Sequence, residues 1–316
     1  MNLCIAVPGL SSAQHQHLLT TLSSYTVTLL ADLPEAEKRA TLAAAHIVFG
    51  NVPASWLAAS ANLRWVQLES AGVDAYLGIN DTPRATPTQL THLTGFFDHA
   101  VAEAALAGIL GLYRQFPRLL LAQPQSAWIK AEVEPGIRAL DGQRVLLLGA
   151  GGIALRIARL LRAFDAEVQF FARTAGAGSL TTPADLDLAL GATDLLINTL
   201  PHTSATIGFL NHARLARLKP DAVVCNVGRG STLDESALVE HLDSGHLGGA
   251  VLDVTAIEPL PVASPLWRHP KVLLTQHTGG RFPYEIDRKI DVFLANLARY
   301  ERGEMLHGPV NSERGY

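Results

Sequence analysis

Two spacings of apolar residues alternate along the first hundred positions. Stretches 3–7, 25–30, 46–50 and 65–68 are short, dense in Leu, Ile and Val, and bounded by turn residues, which predicts buried strands. Between them, 12–22, 35–45 and 54–59 carry apolar residues at helical spacing. Strand and helix taking turns predicts parallel βα units with both faces of the sheet covered. From about 99 to 121 a longer helical pattern is apolar almost all round, so burial on every side is expected.

After a stretch broken by Pro124, Pro135 and Gly136, the alternation resumes. Strands are predicted at 145–148, 167–171, 194–198, 222–226, 249–254 and 272–274. Helices are predicted at 151–163, 183–190, 211–217 and 235–244. This outlines a six-stranded doubly wound sheet. A last helix over about 284–302 is expected to return to the first sheet. The fold class is then α/β, with two Rossmann-like doubly wound domains. A nucleotide-binding domain, 99–282, is inserted in a discontinuous, flavodoxin-like substrate domain, 1–98 plus 283–316.

Composition narrows the classes. With 48% hydrophobic and 17% charged residues, 316 residues can bury two cores, and disorder is excluded. A net charge of −4 gives no reason to expect nucleic acid as a partner. The longest apolar run, about 104–113, is half of what a membrane span needs, and Arg114 and Arg118 follow it. No basic leader precedes the first strand, so no secretory signal is read. Cys4 and Cys225 lie in strand-like stretches without metal or redox spacing, and are expected to be buried thiols in a reducing, cytoplasmic setting. His15 and His17 sit on a predicted surface helix with no acidic or thiol cluster beside them, so no metal site is expected there.

The candidate chemistry begins at Gly149-Ala150-Gly151-Gly152-Ile153-Ala154, which follows an apolar strand and opens a helix. Gly149 suits the tight turn, Gly151 the close approach of a pyrophosphate, and Ala154 takes the third glycine's place. The helix N-terminus offers N–H groups and a favourable dipole to phosphates. The end of the next strand reads Phe170-Phe171-Ala172-Arg173-Thr174, with no acid to accept from a ribose 2′-hydroxyl. Arg173 and Thr174 suit a 2′-phosphate instead, so NADP(H) is the preferred cofactor and NAD(H) the alternative. Three residues follow in separate local patterns: Arg229 after Asn226-Val227-Gly228, Glu258 before Pro259, and His277 after Thr275-Gln276. Each follows a predicted strand at its carboxyl end, where open α/β sheets hold ligands. A cation, a carboxylate and an imidazole in that setting suit hydride transfer to a keto acid: one holds the substrate carboxylate, one supplies a proton, one tunes the imidazole.

The chain resembles the D-isomer-specific 2-hydroxyacid dehydrogenases, in particular their glyoxylate/hydroxypyruvate reductases. The resemblance rests on Ser70-Ala71-Gly72-Val73-Asp74, Val101-Ala102-Glu103, Leu200-Pro201-His202-Thr203, the stretches 226–235 and 249–261, Pro265-Leu266-Trp267, Thr275-Gln276-His277 and Arg302-Gly303-Glu304. It implies Arg229, Glu258 and His277 as the catalytic set, with Arg229, His277 and the Gly72 and Val73 N–H groups binding substrate. The cofactor-binding set it implies is Gly149, Gly151, Gly152, Ile153, Arg173, Thr174, Leu200, Pro201, Thr206, Val227, Gly228, Asp253, His277 and Gly279, with Asp253 orienting the nicotinamide amide. The implied activity is NADPH-preferring reduction of small 2-keto acids, glyoxylate and hydroxypyruvate, to 2-hydroxy acids. Two readings stay open beside it: a bulkier 2-keto acid, and a non-catalytic nucleotide-sensing protein of the same fold. A homodimer is expected, because the apolar helix starting near 99 is more than one subunit should bury. The chain departs from the family at Gln276, where proline is common and a change in loop stiffness is expected, at Phe97, where asparagine is common, and at Arg281.

Overall fold

The structure is a computed structural model and describes residues 1–81, 84, 86–173, 176 and 179–312. The chain divides into two compact units, Met1–Phe96 with Phe282–Tyr316, and Phe97–Arg281.

The first unit opens with β1 (Asn2–Ile5), α1 (Ser12–Thr21), β2 (Thr26–Leu29), α2 (Glu35–Ala43), β3 (Ile47–Phe49), α3 (Ala54–Ala58), β4 (Trp65–Gln67) and β5 (Gln89–Thr91). All strands pair in parallel in the order β2-β1-β3-β4-β5. Successive side chains point to opposite faces. Leu3, Ile5, Ile47, Phe49 and Trp65 therefore join one core, and Cys4, Val48 and Val66 another. Leu42 of α2 and Leu57 of α3 close the second core. The strand β5 was not expected; three residues, one of them exposed, give too little pattern to read.

The second unit contains α4 (Asp98–Tyr113), α5 (Phe116–Ala122), α6 (Lys130–Val133), β6 (Arg144–Leu148), α7 (Gly152–Arg162), β7 (Glu167–Phe171), β8 (Ser179–Leu180), α8 (Pro183–Leu190), β9 (Leu195–Asn198), α9 (His212–Arg217), β10 (Val223–Asn226), α10 (Glu235–Asp243), β11 (Gly249–Leu252) and β12 (Val272–Leu274). The sheet is parallel, in the order β12-β11-β10-β9-β6-β7-β8. It has seven strands rather than the expected six, because the two-residue β8 adds an edge beside β7. Chain order reverses between β6 and β9, the switch point where doubly wound sheets bind ligands. The helices α4 and α7 cover one face, while α8, α9 and α10 cover the other.

The expected single helix over 99–121 is two helices. Arg114 caps α4, Gln115 turns into the left-handed region at φ 59°, and α5 restarts with Pro117 in its first turn. Pro117 has no N–H to continue the ladder to the Tyr113 carbonyl, which accepts the Arg138 N–H at 2.9 Å instead. The all-round apolar character of α4 is used inside this unit. Val101, Ala105, Ile109 and Tyr113 enter the core, and a Cβ at Gly108 would stand 2.5 Å from Val251 of β11. The apolar surplus lies on α5, where Leu120 and Leu121 are 64% and 72% exposed.

The last helix, α11 (Glu285–Glu301), packs on the first sheet. Phe293 stacks on Phe49 at 4.3 Å and on Trp65 at 5.4 Å between ring centroids. Cys4 and Cys225 are both buried and unbonded to each other, and burial pushes their thiols up to about 11 and about 12. Among the described residues, no helix is long and apolar enough to cross a membrane.

Candidate active site

At the carboxyl end of β6, Gly149 adopts φ 102°, a conformation that favours glycine. A Cβ there would also stand 2.5 Å from Thr199 Oγ1. Gly151 is the N-cap of α7 and makes no side-chain cap, so the first-turn N–H groups of Gly152 and Ile153 face the turn with no acceptor from the helix. A Cβ at Gly152 would lie 1.8 Å from the Asp98 carboxylate, which would have to turn aside to admit it. At the end of β7 stand Ala172 and the exposed Arg173, with no acid at 170–173. Thr174 lies outside the described residues. This cradle fits a dinucleotide pyrophosphate.

The next strand ends are knitted together by buried amides. Asn198 at the end of β9 donates to Asn226 Oδ1 at 3.0 Å and to Thr232 Oγ1, and Asn226 Oδ1 also accepts the Gly228 N–H at 3.1 Å. Asn198 Oδ1 accepts the Leu200 N–H at 3.1 Å. Leu200 and Pro201 are thereby fixed beside Val227 and Gly228; a Cβ at Gly228 would stand 2.6 Å from the Leu200 carbonyl. The hydroxyl of Thr206 closes the following loop, donating to the Pro201 carbonyl at 2.6 Å and accepting the Thr203 N–H at 2.8 Å. These supporting amides are buried positions whose pairing joins residues 28 and 34 apart, which local pattern does not reveal.

Arg229 follows with extended backbone, and its carbonyl accepts from Thr232 Oγ1 at 2.6 Å. Gly230 then lies against the loop after β11, since a Cβ there would be 1.9 Å from the Thr255 carbonyl carbon. That loop carries Glu258. Its Oε1 accepts the Thr255 N–H at 3.0 Å, and its Oε2 lies 2.6 Å from His277 Nδ1. Glu235, at the start of α10, accepts the Ala256 N–H at 2.6 Å and steadies the same loop. Burial, and then the nearby Glu258 charge, raise the Glu235 carboxyl above its usual range. Sequence patterns gave no reason to single out Glu235.

The loop bearing His277 hangs on Asp253. Asp253 Oδ1 accepts from Thr275 Oγ1 at 2.6 Å and from the Thr278 and Gly279 N–H groups at 3.1 Å each. The Asp253 carbonyl accepts the His277 N–H at 2.6 Å. Gln276 and His277 are both left-handed, at φ 54° and 56°. Proline, with φ fixed near −65°, does not reach that backbone. Gln276 thus occupies a backbone conformation closed to proline, which goes beyond the change of stiffness expected from its sequence. With Nδ1 committed to Glu258, His277 Nε2 has no partner among the described residues and is the nitrogen available to a ligand.

Gly72 and Val73 lie in the first unit, after β4. The carbonyls of this loop are all engaged: Ser70 by the Leu93 N–H at 3.0 Å, Ala71 by His92 at 2.8 Å, Gly72 by Ser70 Oγ at 2.7 Å, and Val73 by the Tyr76 N–H at 2.8 Å. Among the described residues, no acceptor is present for the N–H groups of Ser70, Ala71, Gly72 and Val73. Donors left open while acceptors are tied down leave this loop able to receive an anion.

Residues 106–279 match the D-isomer specific 2-hydroxyacid dehydrogenase, NAD binding domain family. A glyoxylate/hydroxypyruvate reductase A of Serratia proteamaculans is 33% identical over 301 residues, covering 90% of this chain and 93% of that protein. The crystal structure of a D-isomer specific 2-hydroxyacid dehydrogenase family protein from Aeromonas salmonicida superposes with a TM-score of 0.82 at 31% identity, covering 98% and 99% of the two chains. An NADPH-dependent glyoxylate/hydroxypyruvate reductase from Sinorhizobium meliloti, in complex with NADP and sulfate, superposes with a TM-score of 0.81 at 26% identity, covering 100% and 99%. With its glycine turn, its Glu258–His277 pair and these matches over most of its length, the chain belongs to the D-isomer specific 2-hydroxyacid dehydrogenase family of NAD(P)-dependent oxidoreductases.

Proposed function

We propose that this chain is an NADPH-preferring reductase of small 2-keto acids, with glyoxylate and hydroxypyruvate as substrates. The observation that carries the reading is the 2.6 Å contact between Glu258 and His277 Nδ1, on the same sheet edge as the glycine turn. A nicotinamide cofactor held at the Gly149–Ala154 turn would supply the hydride for the carbonyl carbon. Arg229 binds the substrate carboxylate and draws charge toward the keto oxygen. In the imidazolium form His277 keeps Nδ1–H on Glu258 and gives the Nε2 proton to that oxygen. The N–H groups of Gly72 and Val73 receive the substrate carboxylate. Asp253 both holds the His277 loop and, through Oδ2, orients the nicotinamide amide.

The preference for NADPH is supported by Arg173 and by the lack of an acid at 170–173, and by the NADP bound in the Sinorhizobium meliloti relative. A homodimer is supported by the apolar face of α5 and the residues after it, where Leu120, Leu121 and Trp128 are 64%, 72% and 90% exposed. Buried, unpaired Cys4 and Cys225 support a reducing, cytoplasmic setting.

The test is initial-rate oxidation of NADPH and NADH, side by side, with glyoxylate, hydroxypyruvate, pyruvate and phenylpyruvate. Fast NADPH oxidation with the first two is expected, and Arg173→Asp should shift preference toward NADH. Turnover confined to phenylpyruvate would replace the substrate class. No turnover with any acid would favour a nucleotide-sensing protein. An unaltered NADPH/NADH ratio in the variant would remove Arg173 from the site.

A further inference from the structure

We propose that His92 is a positioning residue that aims the Gly72 N–H at the substrate carboxylate; the inference rests on the reading of Gly72 and Val73 as carboxylate contacts. A peptide unit is planar and trans, so the Ala71 carbonyl and the Gly72 N–H point in opposite directions. His92 Nδ1 lies 2.8 Å from the Ala71 oxygen. Whatever holds that oxygen holds the Gly72 N–H on the far side of the plane.

The tautomer follows from the partners. A carbonyl oxygen only accepts, so Nδ1 carries the proton and donates. Thr94 Oγ1 lies 2.7 Å from His92 Nε2, and its hydroxyl donates there. The backbone fixes the imidazole's root from both directions. The His92 N–H donates to the Gly308 carbonyl at 2.9 Å, and the Leu93 N–H donates to the Ser70 carbonyl at 3.0 Å. Gly308, at φ 67°, admits this approach, since a Cβ there would stand 2.3 Å from the His92 oxygen.

The other carbonyls of the loop are held differently. Leu93 and Tyr76 use backbone N–H groups, and Ser70 belongs to the loop itself. Only the plane carrying the Gly72 N–H depends on a side chain from outside the loop. The substrate carboxylate keeps its charge throughout the reaction, so this contact binds ground and transition states alike. Its loss should raise KM and leave kcat in place.

The test compares full-length wild type, His92→Leu, His92→Asn and Thr94→Val by steady-state kinetics with glyoxylate and NADPH, and by oxalate inhibition. Losing the aim of the Gly72 N–H, one hydrogen bond to a charged group, should raise the KM for glyoxylate and the oxalate inhibition constant of His92→Leu by about tenfold together. Its kcat and KM for NADPH should stay within about twofold of wild type. His92→Asn, whose amide can donate to the Ala71 oxygen, should recover most of the loss. Thr94→Val, which keeps the imidazole but frees its tautomer, should show a smaller rise in the same two constants, and serves as the decisive variant should His92→Leu not fold.

Unchanged KM and oxalate inhibition in His92→Leu and Thr94→Val, beside a wild type that turns over and an Arg229→Ala variant that does not, would overturn this inference and leave the proposed function standing. A wild type inactive on every keto acid would overturn both.

Discussion

Replacing Gly230 by alanine tests how tightly the loops carrying Arg229 and Glu258 are pressed together. An added Cβ would lie 1.9 Å from the Thr255 carbonyl carbon and 2.0 Å from its oxygen. Both are backbone atoms, so no side-chain rotation relieves the overlap. Ordinary contact begins near 3.4 Å, so the loop carrying Arg229 and the loop carrying Glu258 must part by about 1.5 Å. A misplacement of about 1 Å at a reacting centre lowers the rate about 100-fold. Overpacking of this kind also destabilises by about 1–3 kcal/mol. Gly230→Ala should therefore lower kcat/KM for glyoxylate by about 100-fold or more, with a lower melting temperature and far less change in NADPH affinity. The assay is NADPH oxidation at limiting glyoxylate, with cofactor binding read by fluorescence. Gly191→Ala is the control, since its Cβ would meet nothing closer than 3.7 Å. Wild-type kcat/KM in Gly230→Ala would refute the close packing of the Arg229 and Glu258 loops as a requirement of catalysis.

Three further outcomes are expected. Glu258→Gln should lower kcat by about tenfold, the lower range for a charge-assisted hydrogen bond, because solvent screens the pair. The side chains of His277 and Glu258 are 53% and 35% exposed, and an unchanged kcat would remove the pair from the mechanism. Gln276→Pro should disrupt the His277 loop and destabilise by about 2 kcal/mol, because proline does not adopt φ 54°; a fully active, equally stable variant would show that turnover uses another backbone there. Burial lowers the His241 imidazole below its ordinary 6.5, so the unfolded chain takes this proton first as pH falls. Its contribution therefore reduces stability as pH drops below about 6.5 through the lowered folded value, and melting curves from pH 8 to 5 should flatten on that limb in His241→Gln.

Much of the fold was legible because it rests on local signals. Leu146, Leu147 and Leu148 announce a buried strand, and Gly149 and Gly151 mark the turn into a helix, Gly149 at a φ of 102° that favours glycine. Short or interrupted pieces were not. β5 and β8 contain three and two residues, and pairing with β4 and β7, not their own pattern, makes them strands. Apolar periodicity carried the helix over 99–121 through Gln115, although Pro117 stood there as a stop signal. For the site, charged and imidazole groups were readable as residue types, while their support was not. Asn198, Asn226 and Thr232 act through hydrogen bonds between different strand ends. The open N–H groups of residues 70–73 are a property of the backbone and leave no mark on side-chain identity. Gln276 was visible as a departure, but its meaning depended on a dihedral angle.

The most direct measurement is kcat/KM for glyoxylate with NADPH in wild type and in Arg229→Ala, with NADPH binding measured on both. Rapid turnover is expected of wild type, and a loss of about a thousandfold in a variant that still binds NADPH. Equal turnover in the two proteins, or none in wild type despite tight NADPH binding, would contradict it.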